Sequence, residues 1–137
     1  MNRVFKILEG KKIGAFGFCW GVWVIHKASS KGLPIKCGAG CHPSVKLEGF
    51  TGGSPAALAS EVRCPMLFAS AGNDGDDVKE GGEVSKVLVE KFPSSVIKSY
   101  PDMSHGWVSR GDISDENVSR DVKDALELCS VFFKENF

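Results

Sequence analysis

Short apolar segments alternate along the chain with longer segments in which apolar residues recur every three or four positions. The clearest continuous apolar segment is Cys64 to Gly72, which has the length of a buried strand and is bounded by turn-forming residues. The next segment, Glu80 to Phe92, has apolar residues at helical spacing, with Val84, Val87 and Leu88 on one face. The pattern therefore predicts strands that alternate with helices.

The same alternation continues towards both ends of the chain and predicts one α/β domain over residues 1–137. About four parallel strands are expected, joined by right-handed crossovers, with helices on both faces of the sheet. The segment from His42 to Glu61 is typical of a loop, with one helical turn at Ala56 to Ala59. The other predicted strands are Lys11 to Gly17, which is expected to be buried, Ile35 to Cys41 and Val96 to Tyr100, and the other predicted helices are Arg3 to Leu8, Val22 to Ala28 and Asn117 to Phe137.

A Gly-Phe-Cys-Trp-Gly sequence at residues 17–21 lies between a predicted strand and a predicted helix. In Gly-x-Ser-x-Gly proteins, this context forms a tight turn that lifts a nucleophile above the sheet. Cys19 occupies the nucleophile position at a helix N-terminus, where backbone N–H groups favour the reactive thiolate. Gly17 and Gly21 are expected because a β-carbon at either position would clash with the neighbouring strand or helix. The N–H group of Trp20 is a natural oxyanion donor.

A thiol nucleophile needs a base that accepts its proton and later returns it to a leaving group, and imidazole does both at neutral pH. His105 is the candidate because it follows the predicted strand Val96 to Tyr100. His26 competes, but it falls inside the helix after residue 21 and is expected to point away from the strand ends. His42 ends the second strand and is a candidate for lining the pocket, although Pro43 beside it favours a structural turn.

Asp74 follows the strongest predicted strand. A carboxylate at this position can hold an imidazole in the productive tautomer, although a solvated acidic loop is the alternative. Cys19, Asp74 and His105 each follow a separate strand, and functional groups gather where parallel strands end. Their order along the chain, nucleophile, acid and then histidine, is that of the α/β-hydrolase arrangement. We therefore predict a Cys–His–Asp hydrolase site.

Composition and charge narrow the possible partners. Hydrophobic residues make up 42% of the chain and charged residues 25%, which is ordinary for a packed globular protein. Lys plus Arg and Asp plus Glu each number 17, so neither a nucleic-acid footprint nor a polybasic membrane patch is indicated. The apolar segments are too short to cross a bilayer, and residues 1–6 lack the apolar core of a signal peptide. We expect neither a nucleic acid nor a membrane as partner.

The chain has five cysteines, and an odd number favours free thiols in a reducing compartment, so a cytoplasmic location is expected. Cys37, Cys41 and His42 superficially resemble metal ligands. However, the two cysteines lie well apart along one strand, and no second cluster completes a tetrahedral set. No metal site is expected.

Four sequence segments carry a family resemblance: residues 14–21, Cys-His-Pro-Ser at 41–44, Ala-Gly-Asn-Asp at 71–74 and Ser-His-Gly-Trp at 104–107. Together they resemble the dienelactone hydrolase family, whose members are also called carboxymethylenebutenolidases. The resemblance implies an α/β-hydrolase-like three-layer sandwich and a hydrolase of small esters or lactones. It implies that Cys19 attacks the carbonyl, His105 moves protons and Asp74 orients His105. A thioester acyl-enzyme is then released by water, and no cofactor is implied.

In some relatives a basic residue in the loop after His105 binds a substrate carboxylate, and Arg110 lies in that loop. An exposed loop arginine is the alternative. Arg110 and His42 are therefore the candidate substrate-binding residues.

The resemblance begins at about Lys11, whereas family members have further strands and helices before the nucleophile strand. We therefore expect a truncated sandwich in which the Lys11 strand lies at an exposed edge, where self-association is possible. The absent half would carry the second oxyanion donor. The alternative is a catalytically inactive remnant that acts as a binding or redox-sensitive module. A cysteine protease or an acyltransferase on the same scaffold is a third interpretation.

Overall fold

The computed structural model describes residues 10–137, so the helix predicted at Arg3 to Leu8 lies outside the described residues. Within this described part of the chain, four strands form one parallel sheet in the order β1-β2-β3-β4, which confirms the predicted α/β fold and the parallel sheet. Each strand begins and ends within two residues of its prediction. The strands are β1 (Ile13–Phe18), β2 (Ile35–Cys41), β3 (Met66–Ala71) and β4 (Val96–Tyr100).

Helices connect the strands and follow the last of them. Short 3₁₀ helices at Val45–Thr51 and Asp76–Val78 precede the second and third α-helices. The α-helices are α1 (Trp20–Ser30), α2 (Pro55–Glu61), α3 (Glu83–Lys91), α4 (Trp107–Arg110) and α5 (Glu116–Asn136).

The sheet is covered on both faces, because successive side chains of a strand point to opposite sides. Leu67 and Ala69 of β3 pack in one buried cluster with Cys129 and Phe132 of α5. Alternate β3 residues, such as Phe68, belong to a second cluster that includes residues of α1, α2 and α3. The chain therefore forms the three layers that the resemblance implies.

The helical turn predicted at Ala56 to Ala59 is confirmed as part of α2, but the prediction of a loop for the rest of His42 to Glu61 was wrong, because Val45–Thr51 is also helical. Ser54 caps α2: its side chain accepts a hydrogen bond from the N–H of Ala57, and Pro55 occupies the first turn. Leu58 then packs in the core, at 4% exposure. Gly52 and Gly53 favoured the prediction of a loop. The full extent of the capped helix α2 could not be recognised, because its burial depends on the rest of the fold.

Strand β1 lies at one edge of the sheet, as expected. The prediction that it is buried was wrong, since Gly14 is exposed and 42% of the Phe16 surface is accessible. The apolar sequence resembles a central strand because it carries few polar groups, but its outer side meets no other strand among residues 10–137. Self-association through this edge stays a prediction.

Candidate active site

Cys19 lies between the end of β1 and the start of α1, in a strained backbone conformation. Its φ is 52° and its ψ is −121°, a region that residues with a β-carbon rarely adopt. The Cys19 N–H group donates to the Cys41 carbonyl at 3.2 Å, which ties this turn to the end of β2. The thiol is partly exposed, whereas the other four cysteines are buried. The turn therefore presents one thiol at the C-terminal edge of the sheet.

The two glycines that flank this turn are not equivalent. A β-carbon at Gly17 would lie 2.9 Å from the backbone carbon of Gly21 and 3.0 Å from Ile25. The prediction of a clash is therefore confirmed at Gly17. It was wrong at Gly21, where an added β-carbon meets nothing within 4 Å. The close approach occurs at Gly17, which belongs to β1, because α1 crosses directly over this residue.

Alanine substitutions at these glycines should have opposite effects on stability. Gly17→Ala is expected to lower the free energy of unfolding by about 1–3 kcal/mol, because backbone atoms must move to admit the methyl group. Gly21→Ala is expected to be neutral or stabilising by up to about 1 kcal/mol, since alanine is the better helix former. Urea unfolding of the two variants measures both values. Equal destabilisation by the two substitutions would contradict the asymmetry.

Asp74 and His105 form a hydrogen-bonded pair at the ends of β3 and β4. Nδ1 of His105 lies 2.6 Å from Oδ1 of Asp74, and the aspartate side chain is 3% exposed. The other carboxylate oxygen, Oδ2, accepts the N–H of Ala71 at 2.7 Å. Because the carboxylate accepts at both oxygens, its orientation is fixed, and it holds the imidazole with the second ring nitrogen free to face another group.

Direct contacts between the two loops that carry Asp74 and His105 hold these residues beside each other. The N–H of His105 donates to Oδ1 of Asn73 at 2.6 Å, and the N–H of Gly72 donates to the Met103 carbonyl at 2.9 Å. A β-carbon at Gly72 would lie 2.0 Å from the Pro101 carbonyl oxygen, so this crossing accommodates glycine alone without a backbone shift.

The imidazole of His105 and the thiol of Cys19 lie close enough for each to shift the pKa of the other. Burial opposes ionisation of Cys19, but the Ser44 hydroxyl, the His105 imidazole and the Trp20 N–H group together lower the pKa of the thiol. Burial likewise opposes protonation of His105, but the hydrogen bond with Asp74 and the nearby Cys19 thiol raise the pKa of the imidazole above its usual value. The structure thus places the three predicted residues near one another, and both pKa shifts are in the direction that a thiolate–imidazolium pair requires.

Ser44 is a neighbour of the nucleophile that the sequence analysis did not select. Its Oγ lies 3.4 Å from the Sγ of Cys19, and its N–H donates to the Cys19 carbonyl at 3.1 Å. The signal for it in the sequence was the position of Ser44 just after β2, which ends beside β1.

His26 lies away from the catalytic edge, as expected. It is fully buried in the core against Phe68, and burial lowers the pKa of its ring to about 4. His42 is also buried, at 1% exposure, and its ring centre lies 4.9 Å from that of His105 and 5.8 Å from that of Phe18. Burial, followed by the nearby His105 charge, lowers the pKa of His42 to about 4. His42 is therefore neutral, and its role in substrate binding stays a prediction.

A cavity of about 410 Å³ opens beside His105 and is lined by residues that include Trp107 and Arg110. The guanidinium of Arg110 packs over Gly106, where an added β-carbon would lie 2.4 Å from one of its nitrogens. Arg110 ends α4, a helix that the sequence analysis did not predict. Its position beside the cavity agrees with a substrate contact, which stays a prediction.

Among residues 10–137, no three His, Cys, Asp or Glu side chains are grouped as a metal ion would require. The described helices also include none with the length and apolar character needed to cross a membrane.

Comparison with known proteins places the chain in a family. Residues 3–137 match the model of the dienelactone hydrolase family. Two curated relatives are uncharacterized AIM2 family proteins of Schizosaccharomyces pombe. One is 32% identical over 89% of this chain and 46% of its own length, and the other is 28% identical over 92% of this chain and 48% of its own length. The chain therefore spans about half the length of these relatives.

A solved structure shows the fold independently. The acylaminoacyl peptidase of Pyrococcus horikoshii, in its orthorhombic crystal form, superposes with a TM-score of 0.67 at 17% identity. The match covers 99% of this chain and 26% of the peptidase. The fold is thus that of an α/β-hydrolase, and the chain belongs to the dienelactone hydrolase family.

Proposed function

We propose that the chain hydrolyses small carboxylic esters or lactones through a Cys19–His105–Asp74 triad. The observation that carries this proposal is the hydrogen-bonded Asp74–His105 pair at 2.6 Å, with the Cys19 thiol near enough to the His105 ring for each to shift the pKa of the other. Each partner comes from a different strand end, so the arrangement depends on the complete sheet. Membership of a hydrolase family supports the reaction class.

In the proposed reaction, the Cys19 sulfur attacks the ester carbonyl and forms a C–S bond, while negative charge develops on the carbonyl oxygen. We propose that the N–H group of Trp20, the residue that follows Cys19 and begins α1, donates to that oxygen. His105 gives its proton to the alkoxide as the C–O bond breaks, which leaves a thioester. Water then attacks the thioester, His105 takes the proton of the water, and the thiolate leaves.

The pH dependence of turnover is expected to reflect the displaced pKa values of Cys19 and His105. The value of kcat/KM should rise as Cys19 loses its proton, at a lower pH than an ordinary thiol, because the lowered pKa favours the thiolate. It should fall again at a pH above the usual range of imidazole, where His105 loses the proton that it gives to the alkoxide. Steady-state hydrolysis of a 4-nitrophenyl ester across pH measures both limbs.

The acidic limb should appear at the same midpoint when Cys19 is alkylated without any ester present, because both reactions need the thiolate. The alkaline fall should be absent from alkylation, which needs no proton donor. An acidic limb at the pH of an ordinary exposed thiol would contradict the proposed ion pair. Circular dichroism at each pH tests whether unfolding, rather than ionisation of Cys19 or His105, causes either limb.

A second candidate function is a reactive thiol that does not turn over esters. It is favoured by the partial exposure of the Cys19 thiol and by the lowered pKa of that thiol, since both make a cysteine reactive. Hydrolysis of acyl compounds needs preorganised donors at the oxyanion, and each is worth a factor of about 10²–10³ in rate. Rapid alkylation of Cys19 without any ester turnover would favour this candidate over the hydrolase.

A further inference from the structure

We infer that Ser44 is a positioning residue for the nucleophile: its hydroxyl donates a hydrogen bond to the Cys19 thiolate and thereby sets how readily the sulfur ionises and leaves. The inference rests on the proposed role of Cys19 as the nucleophile. It concerns the sulfur itself, however, so it can be tested by a reaction that needs no ester.

Two separate contacts attach Ser44 to Cys19. The hydroxyl oxygen lies 3.4 Å from Sγ, and the backbone N–H donates to the Cys19 carbonyl at 3.1 Å. Ser44 is 6% exposed, so water has little access to compete for the hydroxyl. The backbone contact holds the serine against the strained turn. Because the side chain is also buried, its hydroxyl is held near the sulfur and does not rotate freely in solvent.

The direction of this hydrogen bond follows from the ionisation of Cys19. A thiolate has no proton, so the hydroxyl can only donate to it. Ser44 precedes the 3₁₀ helix Val45–Thr51, but its side chain makes no capping bond to that helix. Serine in this position usually satisfies a helix N–H group. Here the hydroxyl is instead available to the sulfur.

The backbone before Ser44 adopts a costly conformation that delivers the serine to this place. His42 has a φ of 41°, in the left-handed region that residues other than glycine rarely adopt, and its N–H donates to the Ala69 carbonyl at 2.8 Å. The chain leaves β2 at this strained residue and returns at Ser44 to the Cys19 carbonyl. Such strain persists where the surrounding structure enforces it, and it is concentrated at functional sites.

Ser44 and His105 would act on the sulfur in different ways. His105 loses its proton to the alkoxide during formation of the thioester and regains one from the attacking water, so its charge changes within each step. The Ser44 hydroxyl keeps its proton throughout. When the C–S bond breaks and the electron pair stays on sulfur, a retained donor makes the thiolate a better leaving group. Loss of the hydroxyl should therefore slow thiolate formation and release of the acyl group alike.

The test is the pH dependence of Cys19 alkylation by iodoacetamide in Ser44→Ala. The other four cysteines are buried, so rapid labelling in the folded protein reports on Cys19, and Cys19→Ala should abolish that rapid phase. The rate for Ser44→Ala at pH 7 is expected to fall about five- to tenfold, with the profile displaced to higher pH. The maximum rate at high pH should be retained, because the free thiolate is at least as nucleophilic.

Ser30→Ala is the matched control, since Ser30 is 8% exposed and also makes one side-chain hydrogen bond, to the Lys27 carbonyl. It should leave the alkylation profile unchanged. If Ser44→Ala does not fold, the pair Ser44→Thr and Ser44→Val replaces it, because threonine and valine have the same shape and differ in the hydroxyl group. Threonine should then keep the wild-type profile and valine should lose it.

An unchanged alkylation profile in folded Ser44→Ala, or equal profiles for the threonine and valine variants, would overturn the inference. Its failure is distinguishable from failure of the proposed hydrolase function. Displaced alkylation without any ester turnover in the wild type supports the role of Ser44 and rejects the hydrolase. Ester turnover that depends on Cys19, with an unchanged alkylation profile in Ser44→Ala, does the reverse.

Discussion

Cys19→Ala is expected to lower kcat/KM for a 4-nitrophenyl ester by at least about a thousandfold, to a rate near that of the buffer. The reason is that in the proposed reaction the sulfur forms the covalent bond on which both steps depend. His105 and Asp74 would remain hydrogen-bonded to each other, because their contact does not include Cys19. The loss should therefore appear in kcat/KM. The urea midpoint of unfolding should change only by the amount expected when a partly exposed cysteine is replaced by alanine.

Cys64→Ala is the matched control for this experiment. This substitution also removes a sulfur atom, but at the opposite end of the sheet, where Cys64 precedes β3 and contacts Ser29. Some loss of stability is expected, because Cys64 is 1% exposed, but turnover per folded molecule should be retained. Ester turnover that survives Cys19→Ala would refute the assignment of the nucleophile.

Asp74→Asn is expected to lower kcat by about 10³–10⁴-fold with the protein still folded. The carboxylate now accepts from His105 Nδ1 and from the Ala71 N–H, and it favours the protonated imidazole. An amide has one acceptor oxygen, so it can accept from only one of these two N–H groups. Its NH₂ group then either faces the other donor or favours the imidazole tautomer that has no proton on Nδ1, which is the wrong one for catalysis. The alkaline limb of the pH profile should also move to lower pH, because the imidazolium loses its charge partner.

Asp76→Asn in the same loop is the control for Asp74→Asn. The Asp76 side chain is fully exposed and pairs with Lys79 at 3.0 Å, which is an arrangement of little energetic value at a surface. Its substitution should leave kcat within about twofold of wild type. Equal losses in the two variants would indicate a general effect of the acidic loop rather than the orientation of His105.

Much of the fold could be predicted because the signals for it are local. Continuous apolar segments such as Cys64 to Gly72 are buried on both faces in a parallel sheet, and the helix near the C-terminus shows its period directly. The segment after His42 could not be predicted in this way. Its helices depend on Leu58 and neighbouring residues that bury against other helices, and its glycines and Pro55 outweighed that signal in the sequence.

The site was predictable to the extent that strand ends determine it. Cys19, Asp74 and His105 are far apart in the chain, but a parallel sheet gathers the ends of its strands at one edge. Ser44 and the neutral state of His42 could not be read from the sequence, because they depend on tertiary packing and on a positive φ at a residue other than glycine. Gly21 is the opposite case, since the motif suggested a steric need that the packing of α1 does not impose.

The most direct test of the Cys19–His105–Asp74 triad is mass spectrometry of the protein quenched shortly after mixing with 4-nitrophenyl acetate. An acetyl group is expected on the peptide that contains Cys19. It should disappear with time in the wild type and accumulate in Asp74→Asn, in which release of the thioester is slowed. An acetyl group on any other residue, or equal labelling of Cys19→Ala, would show that the thiol is not where the chemistry takes place.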